Sequence, residues 1–136
     1  MLQSPYMQTL IPAMRNYYET PHYIFVHGWI PCTEIRYTPR HCEHVYIEGW
    51  RDAGEAAWDK ARWMNGMDAA YNGAIETGKT IVCGHWHCSY GHSQYEEKGG
   101  LFDNNPDFTP YYGNGIIALD ACTSFSGSVN CIVIDD

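Results

Sequence analysis

Two histidines stand at alternate positions, His85 and His87, directly after Gly84 and the short apolar run Ile81-Val82-Cys83. That is how a buried strand presents imidazoles at its carboxyl end. Glycine lets the backbone turn sharply, and a neutral ring nitrogen on each histidine can take a metal. Hydrogen bonding within a loop is the other use for such a pair. A second junction of the same kind occurs earlier, where the β-favouring run Tyr23-Ile24-Phe25-Val26 leads straight into His27-Gly28. In open α/β sheets ligands gather beyond the carboxyl ends of strands, so neighbouring strands would bring His27 and His85 together. They are 58 positions apart, too far for a local pattern to explain both.

Other residues carry chemistry with less definition. Arg62, on an otherwise apolar helical face, can clamp a phosphate bidentately or pair with Asp59 or Glu55 at the surface. Asp120 closes a further apolar run and either borders the site or caps a turn. The cluster His41-Cys42-Glu43-His44 has metal-ligand types but no ligand geometry that the spacing reveals, so it reads as a solvated loop.

The elements that must position these groups can be read from pattern. Ser4-Pro5 predicts a helix start, with Tyr6, Leu10, Met14 and Tyr17 at helical spacing, a kink at Pro12 and a stop at Thr20-Pro21. Residues 23–26 predict a strand buried on both faces. Residues 30–52 read as irregular. Residues 54–76 read as helix, able to divide at Asn65-Gly66, with Trp58, Trp63 and Met64 in the core. Residues 93–114, rich in Gly, Asn, Asp and Pro, predict a long loop. Ile116–Leu119 and Cys131–Ile134 predict two strands paired as a hairpin about Ser126-Gly127-Ser128.

The totals set limits. A chain of 136 residues suggests one domain, residues 1–136, of α/β class. Sixteen acidic against eight basic residues give a net charge of −8, which argues against nucleic acid or an anionic membrane as partner. No CxxC pair occurs among the six cysteines, so a four-cysteine zinc ribbon is not expected. No basic region followed by a long apolar segment opens the chain, and no apolar stretch approaches bilayer-spanning length, so a cytoplasmic protein with reduced thiols is expected.

Three segments in order resemble the calcineurin-like metallophosphoesterases. YIFVHGWIP at 23–31 is similar to their (F/V)xHxGxxP segment, IVCGHWH at 81–87 to their later Gly-His segment, and GIIALDACTSFSGSVNCIVID at 115–135 to their closing hairpin. The nearest branch resembles the protein Ser/Thr phosphatases and diadenosine-tetraphosphatase-type enzymes. The resemblance implies a layered β-sandwich flanked by helices. It also implies hydrolysis of phosphate esters on a phosphorylated protein or nucleotide, by a two-metal site holding manganese, iron or zinc. His27 and His85 would be ligands of one metal. His87 matches a histidine that in relatives reaches the other, although the phosphatase branch often lacks it. Arg62 falls where that branch carries a phosphate-binding arginine after a helical tryptophan, but its distance from Trp58 departs from the usual Trp-x-Arg.

The motifs of the family's first half are not in this sequence: Asp-x-His, Gly-Asp-x-x-Asp-Arg-Gly and Gly-Asn-His-Glu have no counterpart. The chain therefore resembles the carboxyl-terminal half of the domain. Three readings follow. One is a phosphoesterase active only with a complementing amino-terminal half. Another is an inactive binding or scaffold remnant holding at most one metal. The third is an unrelated structural His/Cys metal domain. A half-domain further predicts an exposed apolar face, hence self-association or a partner carrying the missing half.

Overall fold

The computed structural model describes residues 4–38 and 41–135. The chain runs α1 (Pro5–Ala13), β1 (Tyr17–Glu19), β2 (Tyr23–Val26), β3 (Cys32–Thr38), β4 (His41–Tyr46), a 3-10 turn at Trp50–Asp52, α2 (Glu55–Ala61), α3 (Gly66–Tyr71), β5 (Thr80–His87), α4 (Cys88–Tyr95), β6 (Tyr111–Gly113), β7 (Ile116–Asp120) and α5 (Thr123–Ser126). The architecture is mixed α/β. Five strands form one sheet in the order β1-β2-β5-β7-β6, and β3 with β4 forms a separate hairpin. The apolar runs that end in His27, His85 and Asp120 become three parallel neighbours, β2, β5 and β7. Antiparallel β1 and β6 close the two edges.

Register divides the sheet into two faces, because side chains alternate along each strand. Ile24, Ile81 and Ile116 stand side by side, with Cys83 and Ala118 one step further, all at most 4% exposed. They pack with Trp58 and Ala61 of α2, Met67, Ala69 and Ala70 of α3, and Cys88 of α4. On the opposite face one register row crosses all five strands: Tyr18, Phe25, Val82, Ile117 and Tyr112. Val82 is buried between its neighbours, Phe25 and Ile117 are half-buried, and Tyr18 and Tyr112 are exposed. The apolar residues that α2, α3 and α4 bury belong to the first face, and α1 has no buried residue.

Trp29 joins the layers. It is 1% exposed, and its indole N–H donates to the Ala74 carbonyl at 2.9 Å. A Cβ at Gly66 would come within 2.5 Å of the Trp29 ring, so only glycine lets α3 start this close. The side-chain oxygen of Asn65 caps α3 by accepting from the Met67 N–H at 3.0 Å, which divides the expected long helix at Asn65-Gly66. A polar cluster ties the far end of the sheet to the hairpin. Arg51 pairs with Glu19 at 2.5 Å and Glu76 at 3.1 Å, Lys79 reaches Glu19 at 2.9 Å, and Tyr46 and Trp50 donate to Glu76 at 2.8 Å. The hydrogen bond from Arg51 holds the Glu19 carboxyl down at about 2.

Several expectations are corrected. Tyr17 is not the last turn of a helix but the first residue of β1, while α1 ends at Ala13 with Pro12 in its final turn. Strand β2 is not buried on both faces, since only Ile24 is fully buried. Residues 30–52 are not irregular; they contain the β3–β4 hairpin. The stretch expected as loop is loop over residues 96–110, but its start lies inside α4 and its end takes in β6. Cys131–Ile134 forms no strand, because β6 already occupies the edge of β7 that a closing hairpin would need. Among the described residues no helix is long and apolar enough to cross a membrane.

Trp29→Ala should cost about 3–5 kcal/mol, since it removes a buried indole and leaves a cavity and an unpaired carbonyl. Urea unfolding followed by circular dichroism measures it; a loss below about 1 kcal/mol would mean that Trp29 does not bridge the layers.

Candidate functional site

Parallel pairing sets β2 beside β5 with Phe25 opposite Val82. Just beyond the end of β2, the Gly84 N–H donates to the His27 carbonyl at 2.9 Å, which continues the parallel pairing to the two junctions, while β5 itself runs on to His87. The rings of His27 and His85 then lie 5.1 Å apart between centroids. The convergence expected from the two strand–glycine–histidine junctions is therefore present. His85 itself has φ of 66°, in the left-handed region where a side chain other than glycine or asparagine is uncommon. Such backbone costs on the order of 1–3 kcal/mol and persists only where neighbours enforce it.

Those neighbours come from the end of α2. A Cβ at Gly28 would lie 2.5 Å from the Arg62 carbonyl oxygen and 2.6 Å from that of Ala61. Glycine is what permits this contact, and the Trp29 N–H seals it by donating to the Ala61 carbonyl at 2.9 Å. The docking delivers Trp63 to the histidine pair. Its indole meets His85 edge-on at 5.1 Å and His27 at 6.2 Å, and a Trp63 backbone group hydrogen-bonds His85. Trp63 was expected in the core; it is 67% exposed and walls the site instead. Helical spacing alone gave no signal for this, because the chain has left α2 by Trp63.

Arg62 lines the same groove as His27 and Trp63, a hollow of about 690 Å³ that reaches Met14 and Tyr18. Its guanidinium is engaged by Glu55 and Asp59 and donates to Asn16 Oδ1 at 2.6 Å. Both carboxylates that the sequence offered as surface partners hold it together.

His87 ends β5 directly opposite Asp120. Its ring is turned to Phe102 at 4.5 Å and Phe108 at 6.1 Å. Nδ1 lies 2.7 Å from Ser89 Oγ, and that hydroxyl donates to the Leu101 carbonyl at 2.6 Å. A hydroxyl has one proton to give, so Nδ1 is the donor and Nε2 keeps the free lone pair. Asp120 caps the turn by accepting the Cys122 N–H at 2.7 Å. Its charge also reaches His85 and His87.

Burial, and then the neighbouring His27, lower the His85 pKa below the ordinary histidine value, with Asp120 opposing. Burial lowers that of His87, again against Asp120. Both rings are therefore neutral near pH 7 with lone pairs to offer. A shallow depression of about 450 Å³ lies over the three parallel strand ends, bounded by His27, His85 and Asp120. The His27–His85 pair fits one transition metal as two of its ligands. It does not fit a two-metal centre, because among the described residues no carboxylate joins these rings in a three-ligand set. No family model matches the sequence, and no curated protein and no solved structure matches it.

The depressed histidines have a consequence for stability. The folded state binds fewer protons than the unfolded state once pH falls below about 6.5, so stability should decline from there down through the lowered folded values. In chelator-treated protein, His85→Asn should flatten that decline. Asparagine tolerates the left-handed backbone, so the comparison is not dominated by strain. Urea midpoints measured from about pH 8 to about pH 5 decide it; parallel curves for the two proteins would assign the slope to other groups.

Proposed function

We propose that this chain is the carboxyl-terminal half of a metal-dependent phosphoesterase, supplying His27 and His85 to a metal site completed by residues outside this sequence. The observation that carries the reading is the meeting of two imidazoles, His27 and His85, on adjacent parallel strands. Its support is the order of the three segments that resemble the calcineurin-like family. The metal is of the manganese, iron or zinc class, and the substrate is a phosphate ester on a protein or nucleotide. When bound, the metal supplies a polarised phosphoryl oxygen and an activated water. The chain's own part is to hold the two rings side by side, to keep His85 neutral, and to wall the pair with Trp63.

Charge explains why the half alone is inactive in this reading. Two imidazoles leave a dication uncompensated, and nothing among the described residues bridges a second ion. A complementing half brings the carboxylates, whether it sits on another chain or on polypeptide continuous with this one. The apolar row from Tyr18 to Tyr112 is the surface it would cover; self-association is the other way to cover it. Arg62 can bind phosphate only by giving up Glu55 and Asp59, and the same carboxylates would draw it back on product release. Six free cysteines suit a reducing compartment such as the cytoplasm.

A second reading has its own observation. The engaged Arg62 and the absence, among the described residues, of a carboxylate that completes a three-ligand set with the histidine pair favour an inactive scaffold that holds at most one metal. Hydrolysis of an aryl phosphate with manganese separates the two. The isolated chain should stay at background, a family-type amino-terminal half should restore turnover, and His85→Asn should then cut it by at least about 100-fold. No turnover with the complementing half leaves the scaffold standing. Turnover by the isolated chain that His85→Asn abolishes removes the scaffold.

A further inference from the structure

The β3–β4 hairpin is a separate sheet from the one that carries the histidine pair, and one of its faces gathers a different ligand set. Antiparallel pairing puts Glu34 opposite His44 and Arg36 opposite Cys42. Glu34, Cys42 and His44 therefore share a face, Cys42 lying diagonally from Glu34. One ligand atom from each lies within 4.8 Å of the other two. Bonds of 2.0–2.3 Å at tetrahedral angles need ligand atoms about 3.5 Å apart, so the set closes by roughly 1 Å through side-chain torsions alone.

Among the described residues nothing else strongly claims these groups. The Nδ1 atom of His44 is buried and has no hydrogen-bond partner. Buried ring nitrogens are normally paired, so an orphan on a histidine that shares a face with a thiol and a carboxylate points to a missing partner. The Cys42 thiol makes only a long 3.8 Å contact to the Glu43 carbonyl. Arg36 stands 4.0 Å from Glu34 with both side chains in water, a pairing weak enough to yield to a cation. Charge also balances: one thiolate and one carboxylate neutralise a dication, which the His27–His85 pair cannot do.

We propose that Glu34, Cys42 and His44 form a binding site for one zinc-class divalent cation, with a fourth position open to water or an incoming donor. Sulfur with imidazole excludes magnesium and calcium, which take oxygen ligands. The ion staples the two strands on the side of the hairpin nearer to α2, where Cys32 Sγ already meets Met64 Sδ at 3.9 Å. The site is independent of the phosphoesterase reading.

The test uses cobalt(II) as the probe on the full chain after chelator treatment. One equivalent should produce a thiolate-to-cobalt charge-transfer absorption that zinc displaces. Cys42→Ser should abolish the band, and Glu34→Gln, which touches only an exposed side chain, should weaken binding by about tenfold or more. His85→Asn should leave the band intact, because the histidine pair carries no sulfur. Circular dichroism confirms that each variant is folded. Absence of the band in the unaltered chain overturns the proposal. So does a band that survives Cys42→Ser or one that disappears with His85→Asn.

Discussion

One backbone hydrogen bond, from the Gly84 N–H to the His27 carbonyl, holds the end of β2 in register with the middle of β5. Everything at the site hangs on that alignment. If β5 slipped by one residue, its side chains would exchange faces and His85 would leave His27. The bond also holds Gly84 where the backbone must turn into the left-handed region at the next residue. Strain at His85 is thus set by the strand pairing behind it and by Trp63 in front of it. Gly28 performs the matching task on the other strand, since its missing side chain lets the α2 end rest on the β2 end.

The parts that were legible in the sequence are those where hydrophobicity and chemistry coincide. Ile24, Ile81 and Ile116 announce their strands because each sits in an apolar run, and the histidines after two of those runs mark the site. The hairpin was not legible because Thr33, Ile35, Tyr37 and Val45 on one side are exposed, so no apolar face marks its period. Helix α4 was missed because it buries Cys88, Ser89, Gly91 and His92 rather than large apolar residues. Gly91 is there for contact, as a Cβ would sit 2.7 Å from Met67 Sδ and the Tyr111 ring. Cys131–Ile134 misled in the opposite direction: its β-branched residues suit a strand, but propensity cannot create an edge that β6 has taken.

The two ligand clusters differ in how they treat charge. At the parallel strands, burial and the neighbouring His27 keep His85 neutral, and the nearby acid, Asp120, spends one oxygen on the turn at Cys122. That arrangement is poor at holding a dication alone and well suited to sharing one with acids from elsewhere. The hairpin cluster already contains its counter-charges. The apolar row on the uncovered sheet face belongs with the first case, because a surface of that kind is costly in water and cheap once covered.

The parallel pairing also orders events in time. Strand β2 ends before the hairpin begins, yet its partner β5 starts only after α3, so the two can align only when that intervening chain has closed. Contacts so distant in sequence form late, because loop entropy is lost before the ladder returns anything. The hairpin needs no such closure and can assemble on its own schedule. A newly made chain should therefore possess a formed hairpin before its two histidines have met, and the imidazole pair records that the central sheet is complete.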